Sequence, residues 1–100
     1  MKMTLTTTAH NKTKNFFKNL VKEGQYVIGN VTYKIPLFKI DQDGDQITFY
    51  LYLDDSIAGA ITKWQLVDVD GEVFDDQPDS VDKKSINGVL VAFRYTLKKL

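Results

Sequence analysis

The segment Gln46-Ile47-Thr48-Phe49-Tyr50-Leu51-Tyr52-Leu53 alternates regularly between two sets of side chains. Successive side chains of a β-strand point to opposite faces, so residues two apart share a face. One face of this segment takes Ile47, Phe49, Leu51 and Leu53, and the other takes Thr48, Tyr50 and Tyr52. This pattern is typical of a strand that buries its first face in a core. The segment therefore predicts a fold built mainly on β-sheet.

Turn signals divide the rest of the chain into further strands. Asp70-Gly71 is the strongest of them, because both residues tolerate the positive φ of a type I′ hairpin turn. Gly29-Asn30 indicates a second tight turn. Residues 75–87 are polar and contain Pro78, and we expect them to form a loop. Residues 89–97 alternate over the longest stretch, and their first half is apolar on both faces, which predicts a central strand.

One segment, residues 9–23, has the apolar spacing of a helix. Thr8 is suited to be its N-cap, and Gly24 stands where a left-handed residue would end it. The apolar stripe should face the core, and the lysines should lie mainly outside it. The stripe comprises Ala9, Thr13, Phe16, Phe17, Leu20 and Val21, and the lysines are Lys12, Lys14, Lys18 and Lys22. Residues 1–8 are polar and predict a flexible arm or a short edge strand.

These elements predict an α+β fold that is mostly β. We expect an antiparallel sheet or a small sandwich of five to seven strands, with one N-terminal amphipathic helix. No β-α-β alternation is present, which argues against a parallel doubly wound sheet. The chain of 100 residues is 43% hydrophobic, so residues 9–100 should form a single globular domain around one core.

Charge is sorted along the chain although the formal net charge is zero. Residues 1–40 carry seven lysines and one glutamate, a net charge of +6. Residues 41–82 carry twelve carboxylates and one lysine, a net charge of −11. Residues 83–100 carry five basic side chains and no acid, a net charge of +5. Such sorting predicts surfaces that bind charged partners, and it gives no indication of a catalytic activity.

Signatures of catalysis and of metal binding are missing from the sequence. There is no cysteine, and the single histidine, His10, reads as a surface residue near a helix start. Asp41-x-Asp43-x-Asp45 has the acidic spacing of a calcium loop, but its glycine comes one position early and its twelfth residue is Tyr52. We therefore expect a solvated hairpin tip, no cofactor, no metal and no enzyme activity. The absence of a long apolar run predicts synthesis in the cytoplasm and no membrane partner.

Three groups of residues are candidates for contact with a partner. The first is the set of acidic turn residues, the second is the lysines of the helix, and the third is a tyrosine pair. They comprise Asp68, Asp70, Glu72, Asp75, Asp76 and Asp79; Lys12, Lys14, Lys18 and Lys22; and Tyr50 and Tyr52. The alternatives are solvated loops, a solvated helix face, and tyrosines that pack in the core or at its rim. The basic helix and the acidic block could also face each other, within the fold or across a dimer.

Two segments near the C-terminus resemble a known group of proteins. They are Gln65-Leu66-Val67-Asp68-Val69-Asp70-Gly71-Glu72-Val73-Phe74 and, after a polar loop, Gly88-Val89-Leu90-Val91-Ala92-Phe93-Arg94-Tyr95-Thr96-Leu97. They are similar to small tail or baseplate-associated proteins of phages and prophages from low-GC Gram-positive bacteria. The resemblance implies a virion or prophage accessory protein that works by assembly, and it assigns no functional residues.

The sequence therefore predicts a non-enzymatic assembly or interaction domain that binds a protein partner or associates with itself. A second hypothesis is a small regulatory binder of nucleic acid or of a nucleic-acid enzyme, through the basic helix or through an acidic decoy surface. Nucleic acid is disfavoured, because no arginine stands among the helix lysines, but it stays open. A third hypothesis is a carbohydrate-binding module that uses Trp64 and the tyrosines.

Overall fold

The computed structural model describes residues 6–84 and 86–98 and has an α+β, mostly β fold. Within those residues one helix is followed by seven antiparallel strands in two sheets, as the sequence predicts. The helix is α1 (Thr7–Leu20), and the strands are β1 (Val21–Ile28), β2 (Val31–Pro36), β3 (Lys39–Asp43), β4 (Gln46–Leu53), β5 (Gly59–Asp68), β6 (Val73–Lys83) and β7 (Val89–Thr96).

The two sheets differ in size. The four-strand sheet has the order β2-β1-β5-β6, and the three-strand sheet has the order β3-β4-β7. Hairpins join β1 to β2 through Gly29-Asn30 and β5 to β6 through residues 69–72, so the positions of both predicted turns are confirmed. The type I′ geometry predicted for Asp70-Gly71 is wrong, because Gly71 has a positive φ and Asp70 does not. The chain crosses between the sheets at residues 37–38, 54–58 and 84–88.

Both sheets contribute to one core. The predicted inner face of β4 is confirmed, because Ile47, Phe49, Leu51 and Leu53 are fully buried. The four-strand sheet adds Val21, Tyr26, Ile61, Trp64 and Leu66, and β7 adds Phe93. A core shared in this way is that of a small β-sandwich, in which the inner faces of two sheets interdigitate.

Gly24 sets the approach of β1 to β4. It was predicted to end the helix, but it lies within β1 and its φ is not positive. A Cβ atom at Gly24 would overlap the Cδ2 atom of Leu51, well inside van der Waals contact. Glycine is therefore needed here for close packing of the two sheets, and β1 lies opposite β4.

Helix α1 differs from the prediction at both ends. It begins at Thr7, and the Oγ1 atom of Thr6 accepts a hydrogen bond of 3.0 Å from the backbone N of Ala9, so Thr6 and not Thr8 is the N-cap. It ends at Leu20, because the chain turns directly into β1. Residues 7 and 8 are helical and not part of an arm, and residues 1–5 of the predicted arm lie outside the described residues.

The buried face of α1 also differs from the prediction. His10, predicted to be a surface residue, and Lys14, predicted to be solvated, are buried. Phe16, predicted to face the core, is 68% exposed, and its neighbour Phe17 is half-buried against the core. The reason is that α1 packs partly on the polar turn between β3 and β4. Helix residues that face this turn are buried when they can form hydrogen bonds with it, as His10 and Lys14 do.

Two strand predictions are wrong. Residues 75–83 belong to the edge strand β6 instead of a loop, where Pro78 and several aspartates are tolerated because one side of an edge strand needs no ladder hydrogen bonds. The strand predicted to be central, β7, is an edge strand, and β4 is central in the three-strand sheet. Leu90, which made β7 look buried on both faces, is exposed.

Candidate functional site

A groove opens between β6 and β7, the neighbouring edge strands of the two sheets. Its volume is about 520 Å³. One wall carries polar side chains of β6, the other wall carries side chains of β7, and Trp64 of β5 lies at its base. The polar wall consists of Asp75, Gln77 and Asp79, and the facing wall includes Val91, Phe93 and Tyr95. We call this feature the β6–β7 groove.

The groove results from the unequal size of the sheets. Because Gly24 of β1 lies against Leu51 of β4, the next strands outward, β5 and β7, come opposite each other. The strand beyond β5 is β6, and no described strand lies beyond β7. The inner face of β6 therefore looks onto space that a fourth strand of the smaller sheet would fill.

Asp75 is held in the groove by neutral donors. Its Oδ1 atom accepts hydrogen bonds of 2.8 Å from the backbone N of Asp76 and from Nε2 of Gln77. Its Oδ2 atom accepts from the hydroxyl of Tyr95. Burial of Tyr95, together with this bond to a carboxylate, raises the pKa of its hydroxyl well above the ordinary value. The phenol stays a donor and fixes the carboxylate in place.

Asp79 is held in the same manner. Its Oδ2 atom accepts a 2.8 Å hydrogen bond from Nε1 of Trp64, and its Oδ1 atom accepts a 2.7 Å bond from the backbone N of Ser80. Across the described residues, no lysine or arginine nitrogen forms a salt bridge with Asp75 or Asp79. The β6 wall of the groove thus carries two negative charges that form no salt bridge within the described part of the chain, and Arg94 of β7 is the one basic side chain among the residues that line the groove.

A second polar cluster fastens α1 to the turn between β3 and β4. The Oδ1 atom of Asp45 accepts from Nε2 of His10 at 2.9 Å and from Nζ of Lys14 at 3.1 Å. The Lys14 Nζ also donates to the carbonyl of Gly44 at 3.2 Å. These hydrogen bonds, first from His10 and then from Lys14, lower the pKa of the Asp45 carboxyl. The cluster accounts for the burial of His10 and Lys14, and its role is structural.

The six acidic candidates divide among three places. Asp75 and Asp79 lie in the groove. Asp76 faces the other way and accepts a hydrogen bond from Nε2 of Gln65, with Lys63 at 3.6 Å. The remaining three form the turn between β5 and β6, where Oδ1 of Asp68 accepts from the backbone N atoms of Asp70 and Glu72. The structure therefore brings only two of the six together in a concave site.

The helix lysines do not form one continuous basic surface. Lys22, predicted to lie on the helix, belongs to β1 and is exposed there. On α1 itself Lys12 is exposed and Lys18 is half-buried, but Lys14 is buried beneath the helix. Within the described ranges, Asp45 is the one acid that joins the basic N-terminal block to the acidic middle block by salt bridges. Within the fold, helix α1 therefore meets the acidic block at Asp45 and forms no salt bridge with the acidic candidates at 68–79 in the described chain. That the basic helix and the acidic block face each other across a dimer stays a prediction.

Tyr50 and Tyr52 lie on the outer face of the three-strand sheet. Tyr50 is half-buried, with Nζ of Lys39 at 5.4 Å from the ring centre. Tyr52 is 40% exposed, and its ring centre lies 5.3 Å from that of Phe38. Trp64, which the carbohydrate hypothesis places on the surface, is 2% exposed and belongs to the core. The tyrosines therefore form a small surface pair without the tryptophan.

The sequence pattern gives no sign that Gln77, Phe93 and Tyr95 line a groove. Had residues 73–83 been recognised as a strand, the alternation of Asp75, Gln77 and Asp79 would have placed the three on one face. The burial of Lys83 was also missed. Its Nζ donates to the carbonyls of Ile57 and Lys84, both at 2.8 Å, and it fastens the connection between the sheets.

Three further tests bear on the site. In residues 6–84 and 86–98 no three histidine, aspartate or glutamate side chains are placed to hold a metal ion. The helix of the described chain is too short and too polar to cross a membrane. Comparison of the chain with protein-family models, with curated proteins and with solved structures finds no match. The resemblance to phage tail proteins stays a prediction.

Proposed function

We propose that the protein is a non-enzymatic interaction domain that binds a segment of a protein partner in the β6–β7 groove. One observation carries the proposal: β6 holds Asp75 and Asp79 over space that no strand of the described residues occupies. Binding a partner segment there would cover the apolar wall of β7 and neutralise both carboxylates. This function agrees with the assembly role that the phage resemblance implies.

The shape and chemistry of the groove favour a protein segment over the other partners considered. Its β6 wall carries two carboxylates against the single Arg94 on the β7 side, and this excess of negative charge repels the phosphates of nucleic acid. It combines apolar side chains with a few fixed polar groups, the usual composition of a site that orients its ligand. Both bordering strands are edges, and unpaired edge strands are common sites of peptide recognition.

Selection from a random peptide library, followed by calorimetric titration, tests the proposal. Gln77→Trp places a bulky ring in the groove, and Ser80→Trp places the same ring on an exposed position of the same strand. We expect the unaltered domain to enrich peptides whose affinity falls at least about tenfold in Gln77→Trp, because the ring occupies their site. Ser80→Trp should leave the affinity unchanged.

Two results would overturn the proposal. One is that the folded domain enriches no peptide. The other is that the enriched peptides bind the Gln77→Trp variant as well as they bind the unaltered domain, since their site would then lie elsewhere.

A further inference from the structure

We infer that the partner segment binds as an added strand, pairing with β7 as the fourth strand of the three-strand sheet and carrying lysine or arginine at positions i and i+4. The inference rests on the proposed function and specifies its ligand. Four features of the structure support it: the open edge of β7, the space beneath β6, the spacing of two aspartates, and a steric barrier to a second copy.

The open edge of β7 is suited to strand addition. In the described residues β7 pairs with β4 on one side and with nothing on the other. Its eight residues include no proline, and Arg94 is their one charge. The edge of β6 differs, because Pro78 interrupts its donors and four aspartates line it. Charge and proline are the usual means of blocking an edge, so of the two edges that border the groove β7 is the one left open.

The added strand would fill the space beneath β6. Strands in a sheet lie about 4.8 Å apart and packed sheets about 10 Å apart, so a strand next to β7 would lie across the sandwich from β6. Its inward side chains would then meet Asp75, Gln77 and Asp79, which line the groove from above. A long side chain is needed to reach them across that separation.

The spacing of the two aspartates sets the motif. Asp75 and Asp79 are four residues apart on β6, and β6 pairs with β5 in regular register from Asp75 to Pro78. Four residues of a regular strand span about 13 Å. Strands of two aligned sheets run within about 30° of each other, so positions i and i+4 of the added strand face the same two carboxylates. Covering a carboxylate without pairing it is unfavourable. Basic residues at i and i+4 are therefore favoured over apolar ones, and position i+2 faces Gln77.

A second folded copy of this chain does not fit the same space by antiparallel pairing. A copy that offered its own β7 antiparallel to this one would bring its β5 opposite the added strand. The first copy already has β6 there, and the two acidic β6 strands would also repel each other. The occupant that we infer is thus an extended segment of another protein, and the expected self-association is not favoured through antiparallel β7 strands.

The first test titrates a synthetic nonapeptide into the unaltered domain by calorimetry. The peptide alternates threonine and valine, with lysine replacing threonine at its third and seventh positions. The variant Asp75→Asn/Asp79→Asn removes both charges but keeps an acceptor oxygen for Tyr95 and Trp64. The control Asp76→Asn/Asp82→Asn removes two charges from the same strand outside the groove. We expect the first variant to lose at least about tenfold in affinity, the scale of a lost charged hydrogen bond, and the control less than about threefold.

The second test changes the peptide and leaves the domain unaltered, so it does not depend on the folding of a variant. A peptide with glutamates in place of the lysines should not bind. A peptide with lysines at its third and sixth positions should bind at least about tenfold more weakly, because one of them then faces solvent. Two further peptides carry N-methyl groups, one on its odd-numbered residues and the other on its even-numbered residues. One of the two should not bind and the other should bind as before, because a strand at the edge of a sheet donates hydrogen bonds to its neighbour through every second residue.

Several outcomes would overturn the inference. Equal losses of affinity for the lysine nonapeptide in Asp75→Asn/Asp79→Asn and in Asp76→Asn/Asp82→Asn would show that the peptide is attracted to the acidic surface in general. Equal tolerance of both N-methyl series would show that no strand is added. A dimer that forms through β7 in light scattering would identify a second copy as the occupant. If library peptides bind in the groove but the lysine nonapeptide does not, this inference fails and the proposed function stands. If no peptide is sensitive to Gln77→Trp, both fail.

Discussion

Gly24 illustrates how much of the packing depends on one missing side chain. A methyl group added at Gly24 would overlap the side chain of Leu51, which is itself fully buried and has no free space to move into. We expect Gly24→Ala to lower the free energy of unfolding by about 1–3 kcal/mol, the usual cost of overpacking a core. Urea denaturation measures the loss.

The combination Gly24→Ala/Leu51→Ala provides the control for that prediction. Removing the Leu51 side chain makes room for the new methyl group, so the double variant should be more stable than the sum of the two single losses implies. Strictly additive losses would show that the two residues do not contact each other, and β1 would then not lie opposite β4.

The lowered pKa of Asp45 predicts how the free energy of unfolding depends on pH. Its folded-state pKa is lowered, so its contribution to stability is present above the unfolded value of about 3.9 and is lost as pH falls through the lowered value. We expect the stability of the unaltered protein to fall below about pH 4, and to fall less steeply in Asp45→Asn. The urea midpoint measured across the acidic range checks this.

Asp55→Asn is the matched control for the pH experiment, because Asp55 lies at an exposed turn position. Its profile should follow that of the unaltered protein. Asp45→Asn should also be less stable near neutral pH, since the buried Lys14 ammonium loses its carboxylate partner. An Asp45→Asn profile as steep as that of the unaltered protein would remove the cluster as the source of the pH dependence.

Among the elements, α1 packs one aromatic ring, that of Phe17, against the sandwich, in addition to its hydrogen bonds to Asp45. The ring centre of Phe17 lies 5.7 Å from that of Phe49, 5.6 Å from Phe74 and 5.3 Å from Tyr95. We expect Phe17→Ala to lower the free energy of unfolding by about 3 kcal/mol, the lower end of the range for such truncations, because the ring is half-buried.

Phe16→Ala provides a control of identical chemistry one residue away. Its ring is mostly exposed, so the change should alter the free energy of unfolding by less than about 0.5 kcal/mol. Thermal or urea unfolding of the two variants side by side gives the comparison. Equal losses, or the larger loss in Phe16→Ala, would mean that the opposite face of α1 packs on the sheets.

The elements differ in how far sequence predicted them. The inner face of β4 and the turns at Gly29-Asn30 and Asp70-Gly71 followed from alternation and turn chemistry, which act between close neighbours. The strand β6 could not be predicted in this way, because its aspartates and Pro78 disfavour a strand locally. Its pairing with β5 overrides that local preference. The groove was missed for this reason.

The orientation of α1 could not be predicted for a related reason. Periodicity identifies an apolar stripe but not the surface on which the helix docks. Here the helix packs partly on the turn that contains Asp45, and that turn buries His10 and Lys14 in preference to Phe16. Such a choice depends on contacts between residues more than thirty positions apart, which no local pattern encodes.

At the scale of the whole molecule, the shared core predicts a single unfolding transition. Residues of both sheets pack into one cluster, and neither sheet has a separate core among the described residues. We expect the calorimetric and van't Hoff enthalpies of thermal unfolding to be equal, as they are for a two-state domain. This also tests the prediction that residues 9–100 form one domain. A van't Hoff enthalpy well below the calorimetric value would show that the sheets unfold separately.

The charge blocks of the sequence have distinct positions in the molecule. The acidic block contributes to one wall of the groove, to the turn between β5 and β6, and to the salt bridges with α1. The radius of gyration of 15.9 Å exceeds the value of about 13 Å that is usual for 100 residues, so the molecule is elongated, with extents of 53 × 23 × 19 Å. The elongated shape leaves the edge strands accessible along their length.

The position of Trp64 gives the protein an optical reporter of its own. It is the single tryptophan of the chain, its indole borders the groove, and its N–H donates to Asp79. Indole emission shifts in wavelength when nearby charges and water change. A segment that displaces water from the groove and pairs with Asp79 would therefore shift the wavelength of the tryptophan fluorescence. Binding in the groove could then be followed without a label.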